Sequence, residues 1–184
     1  MRSRRRPVQP RRSFFIAGEG QSERAFVRFL QRLCDEARLY VHLDVRPQDG
    51  GGSVAVIEQA GRWLKRNRSR REYQARLVLL DRDRIEAEPR EGMQAQAAAT
   101  RYKLEIVFQD PNLEGLLVRL HAGQEQRKIR ASDSENELRK MWPEYQKPPT
   151  AEQLRQRFTL DDVRRAAVHD QHLQTLLEVI GLWS

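Results

Sequence analysis

Three acidic residues, Glu19, Asp81 and Asp83, combine a residue type and a placement that suit metal chemistry. Carboxylates are hard oxygen ligands, and several at one place repel each other unless a cation neutralises them. The ion such a set would take is Mg²⁺, with Mn²⁺ as a substitute. A bound ion of this kind draws charge from an oxygen bound to it and lowers the pKa of a bound water. In an extended segment, residues two apart point to one side, so Asp81 and Asp83 are expected to face one ion together. An Asp-x-Asp pair can equally cap a helix or solvate a loop, and both readings stay open for the pair alone.

The elements that must position these acids are legible around them. Residues 13–17 read as a short buried strand broken by Gly18-Glu19-Gly20. A helix is expected from Ser22 to Arg38, with Phe26, Phe29, Leu30, Leu33, Cys34 and Ala37 on one face. Ser22 is the expected N-cap, and Ala25 at N3 leaves no full capping box. Residues 40–46 alternate as an edge strand. Gly50–Gly52 form a loop, and Ser53 is the expected cap of a helix bearing Val56, Ile57, Ala60, Trp63 and Leu64. Residues 76–80 are a near-continuous apolar run, as a central parallel strand covered on both faces requires, and they end in Asp81-Arg82-Asp83. A helix through Ala95–Ala99, a strand over 104–108 and a helix started by Asp110-Pro111 follow; Leu113, Leu116, Leu117 and Leu120 form the stripe of the last.

Alternating strands and helices predict an α/β fold with a mostly parallel central sheet flanked by helices. Ligands of such sheets collect at the carboxyl ends of the strands, where Glu19, Asp81 and Asp83 all fall. The chain divides into a flexible basic arm over 1–12, an α/β domain over 13–123, and a loop with a small helical appendage over 124–184. Residues 124–136 are expected to be loop. Thr150 with Gln153 and Thr159 with Asp162 mark helix starts, and Leu173, Leu176, Leu177 and Ile180 a last helix.

The charge is +8 over 184 residues, and it falls to +2 without Arg2, Arg4, Arg5, Arg6, Arg11 and Arg12. A second basic cluster contains Arg62, Lys65, Arg66, Arg68, Arg70 and Arg71. Contact with a polyanion is one reading of these clusters, because neutralising phosphates releases counterions. A solvated arm and helix end is the other. A single cysteine, Cys34, excludes an internal disulfide and a cysteine-based zinc site. No run approaches the roughly 18 apolar residues of a membrane span, and no apolar segment follows the basic start as in a signal peptide. A cytoplasmic protein is the expectation.

Phe15-Ile16-Ala17-Gly18-Glu19-Gly20-Gln21-Ser22-Glu23, followed by an amphipathic helix, resembles the start of a Toprim domain, and Leu79-Leu80-Asp81-Arg82-Asp83 resembles its second motif. More narrowly, the chain resembles the RloB-like family of Toprim-fold proteins. The family's Asn-Pro-x-Phe-Glu element, opening a helix that ends in Leu-His, is echoed by Asp110-Pro111-Asn112-Leu113-Glu114 running on to Leu120-His121. Its Tyr-Pro-x-Tyr-x-Lys pattern is echoed by Trp142-Pro143-Glu144-Tyr145-Gln146-Lys147. Asp110 and Leu113 depart from the family's Asn and Phe, and neither departure removes a metal ligand. The resemblance, over residues 13–147, implies a Mg²⁺-dependent nuclease acting on DNA or RNA. It implies Glu19, Asp81 and Asp83 as catalytic and metal-binding residues, with Glu23 and Glu114 as further acids. It also implies a bacterial anti-phage setting with an ATPase partner.

His121 lies two turns beyond Glu114 and reads as a phosphate contact, a metal ligand or a structural histidine. Lys147, or an arginine among Arg62, Arg66, Arg70 and Arg71, is the expected nucleic-acid contact; Lys147 equally reads as a surface lysine. The alternative to a nuclease is a non-catalytic nucleic-acid-binding or ATPase-partner subunit that keeps the fold. Nucleotidyl transfer is a third reading, and Gly50–Gly52 lacks the spacing of a phosphate loop.

Overall fold

A computed structural model describes residues 11–48, 51–68 and 72–183. The chain runs β1 (Arg12–Gly18), α1 (Gln21–Glu36), β2 (Val41–Pro47), α2 (Gly52–Arg66), β3 (Ala75–Asp81), α3 (Arg82–Ala87), α4 (Pro89–Tyr102) and β4 (Glu105–Gln109). It continues through α5 (Leu113–Arg119), α6 (Ala131–Met141), α7 (Ala151–Arg157), α8 (Leu160–Ala167) and α9 (Gln171–Ile180). The four strands form one sheet in the order β2-β1-β3-β4, and every pairing is parallel. The protein is α/β, with helices flanking a parallel sheet as its alternation predicts.

Side chains alternate across the sheet, so the inner strands β1 and β3 each feed two cores. Phe14, Ile16, Leu77, Leu79 and Val107 face α1, α5 and the C-terminal helices. Phe15, Ala17, Val78 and Leu80 face α2 and α4. This double burial explains why 76–80 lacks a polar alternation, and β2 is the edge strand its alternation suggested. The helical C-terminal region joins the first core through Leu138, Trp142, Tyr145, Leu154, Phe158, Leu173, Leu177 and Ile180. There α7 packs on α1 and α9 on β4.

Several local expectations are corrected. The first helix starts at Gln21 with Gly20 as N-cap, because the Glu23 carboxylate accepts a hydrogen bond from the Gly20 N–H at 2.8 Å. Ser22 is therefore inside the helix, and Glu23 holds N3. Gly51, not Ser53, is the N-cap of α2, and the Ser53 N–H donates to Glu91 at 2.7 Å. Asp110 does not cap α5. Asn112 does, accepting from the Gly115 N–H at 3.0 Å. The segment 124–136 is not all loop, since α6 begins at Ala131. Both threonine caps form as expected, from Thr150 to Gln153 and from Thr159 to Asp162. Arg12 opens β1; the rest of the expected arm up to residue 10, Gly50, Arg70 and Arg71 lie outside the described residues.

Candidate metal centre at the carboxyl edge

In the order β2-β1-β3-β4 the chain leaves β1 toward β2 on one side and returns to β3 on the other. That reversal makes the β1/β3 carboxyl edge the topological switch point, where open parallel sheets bind ligands. Glu19 directly follows β1, and Asp81 is the last residue of β3. Gly18 permits the close approach of α1 to this edge: a Cβ there would lie 2.5 Å from the Cβ of Glu23. The buried Glu23 carboxylate is consequently held at the strand end, tied to Gly20.

Asp83 departs from the expected geometry. It is not in an extended segment with Asp81 but in the first turn of α3, where its Oδ1 accepts from the Arg84 N–H at 2.8 Å. The turn brings its backbone to the next strand end, since the Asp83 N–H donates to Pro111 O at 3.1 Å. Glu114 sits in the first turn of α5, buried, with its Oε1 accepting from Tyr145 Oη and from Lys147 Nζ, each at 2.9 Å. The Trp142–Lys147 motif thus acquires a physical role: its tyrosine and lysine clamp one acid from outside the sheet.

These acids act on one another. Burial pushes the Asp81 carboxyl up to about 8, and the charges of Glu23, Glu19, Asp83 and Glu114 add to the rise. Glu19 is raised by burial despite Arg84, whose guanidinium lies 3.1 Å from its Oε2. Glu23 is raised by burial, against its hydrogen bond from Gly20. Burial would lower Lys147, but Glu114 outweighs it and holds the ammonium above its ordinary range. Two buried oxygens, Glu19 Oε1 and Asp81 Oδ1, have no hydrogen-bond partner. An unpaired carboxylate oxygen inside a protein is costly, and a cation is the partner that its charge calls for. The donor set therefore fits a hard divalent ion in type and charge. Among the described residues, no three acidic, histidine or cysteine side chains stand at coordinating distances from one point. The acids share an edge and a field, with Arg84 turned onto Glu19.

The remaining expected residues divide. Lys147 joins the acids. His121 does not: its Nδ1 faces the carbonyls of Leu117 and Val118 at 3.1 and 3.3 Å, and Arg157 donates to its Nε2 at 3.2 Å. Its charged neighbours are Arg157 and Asp162, and burial lowers its pKa. Arg62 and Arg66 also lie elsewhere. A crossover helix runs antiparallel to its strands, so the C-terminal turns of α2 return to the amino edge. They stand on the rim opposite the acids, with Arg62 3.8 Å from Glu58. One residue emerged only from the fold. Gln109 stands in register with Asp81, is buried, and leaves both amide atoms unpartnered. Its one sequence signal is its place at the end of an apolar strand.

Comparisons with protein-family models, with curated proteins and with solved structures return no match.

Proposed function

We propose that this chain is a Mg²⁺-dependent nuclease of Toprim and RloB-like type, hydrolysing phosphodiesters of DNA or RNA. The observation that carries the reading is the partly buried acid cluster at the sheet's switch point, with Asp81 raised to about 8 and two partnerless carboxylate oxygens. A field of like charge is costly, and strongly perturbed acids in one place mark functional sites. Glu19, Asp81 and Asp83 would hold Mg²⁺ or Mn²⁺, which when bound supplies positive charge to a phosphate oxygen and acidifies water. Glu19, unpaired at Oε1 and raised above the ordinary carboxylate range by burial, accepts or returns a proton. Glu23 fixes the backbone after β1 through Gly20, and Tyr145 and Lys147 fix Glu114. Lys147, half-exposed, has protons left to meet a phosphate.

The likeness of residues 13–147 to the RloB-like family supports nucleic acid as the substrate, and with it a cytoplasmic setting in anti-phage defence beside an ATPase. No helix among the described residues is long and apolar enough to cross a membrane. One observation favours the non-catalytic reading: Arg84 and Lys147 already neutralise Glu19 and Glu114 from within. The deciding experiment incubates single- and double-stranded DNA and RNA with the protein in Mg²⁺, Mn²⁺ or EDTA, beside Asp81→Asn. Metal-dependent cleavage by the wild type alone is expected. Equal cleavage by both proteins would remove Asp81 from the reaction, and binding without cleavage would establish the non-catalytic subunit.

A further inference from the structure

The amino edge of the sheet, opposite the acids, holds a cavity of about 490 Å³. Lys65, Arg68, Arg76, Arg101 and Lys103 line it, and no acidic residue does among the described residues. Tyr73 and Tyr102 supply its aromatic wall. Some positive charge is expected here, because α2 and α4 both end at this edge and helix C-termini attract cations. The magnitudes show an excess. Two helix ends offer about one negative charge between them, and Glu58 pairs with Arg101, leaving roughly three positive charges unbalanced.

The cations are also arranged around a rigid wall. A Cβ at Gly61 would lie 2.2 Å from the Tyr102 ring, so the ring rests on the α2 backbone itself. Tyr102 Oη is fixed to Glu58 at 2.8 Å, and Lys65 Nζ stands 5.0 Å from the ring centroid. Lys103 closes α4 in the left-handed conformation, φ 55° and ψ 47°, where Gly or Asn is the usual choice. A lysine there adds a cation to the rim at the cost of backbone strain. Arg76, at the start of β3, is half-buried and has no ion pair among the described residues.

We infer that this cavity is a binding site for closely spaced phosphates, distinct from the acidic edge and independent of the nuclease reading. Guanidinium and ammonium groups on one concave wall suit an oligophosphate. The volume falls in the range of small-ligand sites. A free nucleotide's triphosphate and a nucleic-acid backbone present the same chemistry.

The test is calorimetric titration of the full chain at low salt with tripolyphosphate, ATP and a single-stranded oligonucleotide. At least one probe is expected to bind. Arg76→Gln with Lys103→Gln should weaken it about tenfold or more. Binding of tripolyphosphate and ATP assigns the site to free oligophosphates; binding of the oligonucleotide alone assigns it to a nucleic-acid backbone. Gly61→Ala, which displaces Tyr102 without touching a charge, gives a second handle and should also weaken binding. Asp81→Asn should bind as the wild type does, so failure of the nuclease reading leaves this result intact. No binding by any probe, or affinity unchanged in the double variant of normal thermal stability, overturns the inference.

Discussion

Glu23 and Glu114, at the carboxyl edge of the sheet, are drawn inside the protein, whereas Lys65, Arg68 and Lys103, at the amino edge, keep their charges in water. Helix dipoles account for the sign at both rims. Glu23, Asp83 and Glu114 lie in first turns of helices, and Lys65, Arg66 and Arg101 in last turns. They do not account for what each rim adds. The acidic rim adds burial, shown by the raised Asp81 and the unpaired oxygens. The basic rim adds number around a cavity. Burial of like charges costs stability, while exposed cations cost little. The acidic edge therefore bears the stronger signature of function, since a fold keeps such a cost where the chemistry needs it.

The largest expected effect breaks the two rims apart. Asp81→Asn should reduce metal-dependent cleavage by at least about a hundredfold, as loss of a charge-organising group at a reaction centre does. It should leave oligophosphate affinity at the amino edge within about twofold, because sites this far apart without shared partners act independently. Parallel loss of both would mean that one ligand spans the two edges, and the comparison would fall.

Next comes stability. Asp81 is raised from 3.8 to about 8, so the folded chain favours its protonated form. That contribution is fully present below the ordinary carboxylate range and is lost as pH rises toward 8. At pH 8 without metal, Asp81→Asn should therefore be more stable than the wild type, by about 1–3 kcal/mol. Thermal unfolding at pH 5 and pH 8 checks it: the advantage should shrink at the lower pH. A substitution that destabilises equally at both would show the carboxyl paired rather than strained.

Metal binding follows from the same shift. A ligand must lose its proton to bind, so Mn²⁺ affinity should rise with pH up to about 8 and then level, approaching tenfold per unit below it. Saturating Mn²⁺, at about a hundred times its dissociation constant, should stabilise the wild type by about 2.7 kcal/mol and Asp81→Asn by far less. A flat pH profile would mean that Asp81 is not a ligand.

The sequence carried the frame of both rims unevenly. Strand ends are legible because 14–17 and 77–80 are apolar on both faces, which only a covered sheet tolerates. Glu19 and Asp81 followed from that. The β1/β3 switch point did not, since strand order depends on which edges pair. Asp83 was misplaced because a period-two argument was extended past the strand, where the backbone turns into α3. The amino-edge cavity was only half legible. Lys65 and Arg68 stand in one basic run, but Arg76, Arg101 and Lys103 come from other elements and meet it through the crossover geometry. Tyr145 and Lys147 were visible as a motif, but their partner Glu114 lies 31 residues before Tyr145 and is found only in space.

The smallest effect concerns that clamp. Tyr145→Phe removes a buried hydrogen bond to Glu114 Oε1 while keeping the ring that packs 5.4 Å from Trp142. Loss of a bond to a charged acceptor ordinarily costs about 1.5–3 kcal/mol. Here Lys147 Nζ stays on the same oxygen at 2.9 Å, so the acid keeps a charge-assisted partner and the cost should fall to about 1 kcal/mol. For a chain of 184 residues that is a fall of about 2–4 °C in Tm. Cleavage should drop only severalfold, since Tyr145 bonds Glu114, which is not among the proposed metal ligands Glu19, Asp81 and Asp83. Combined with Lys147→Met, the loss should exceed the sum of the two, because the buried Glu114 would then lose both partners of its Oε1. Strict additivity of the two substitutions would show that tyrosine and lysine hold Glu114 separately, not as one clamp.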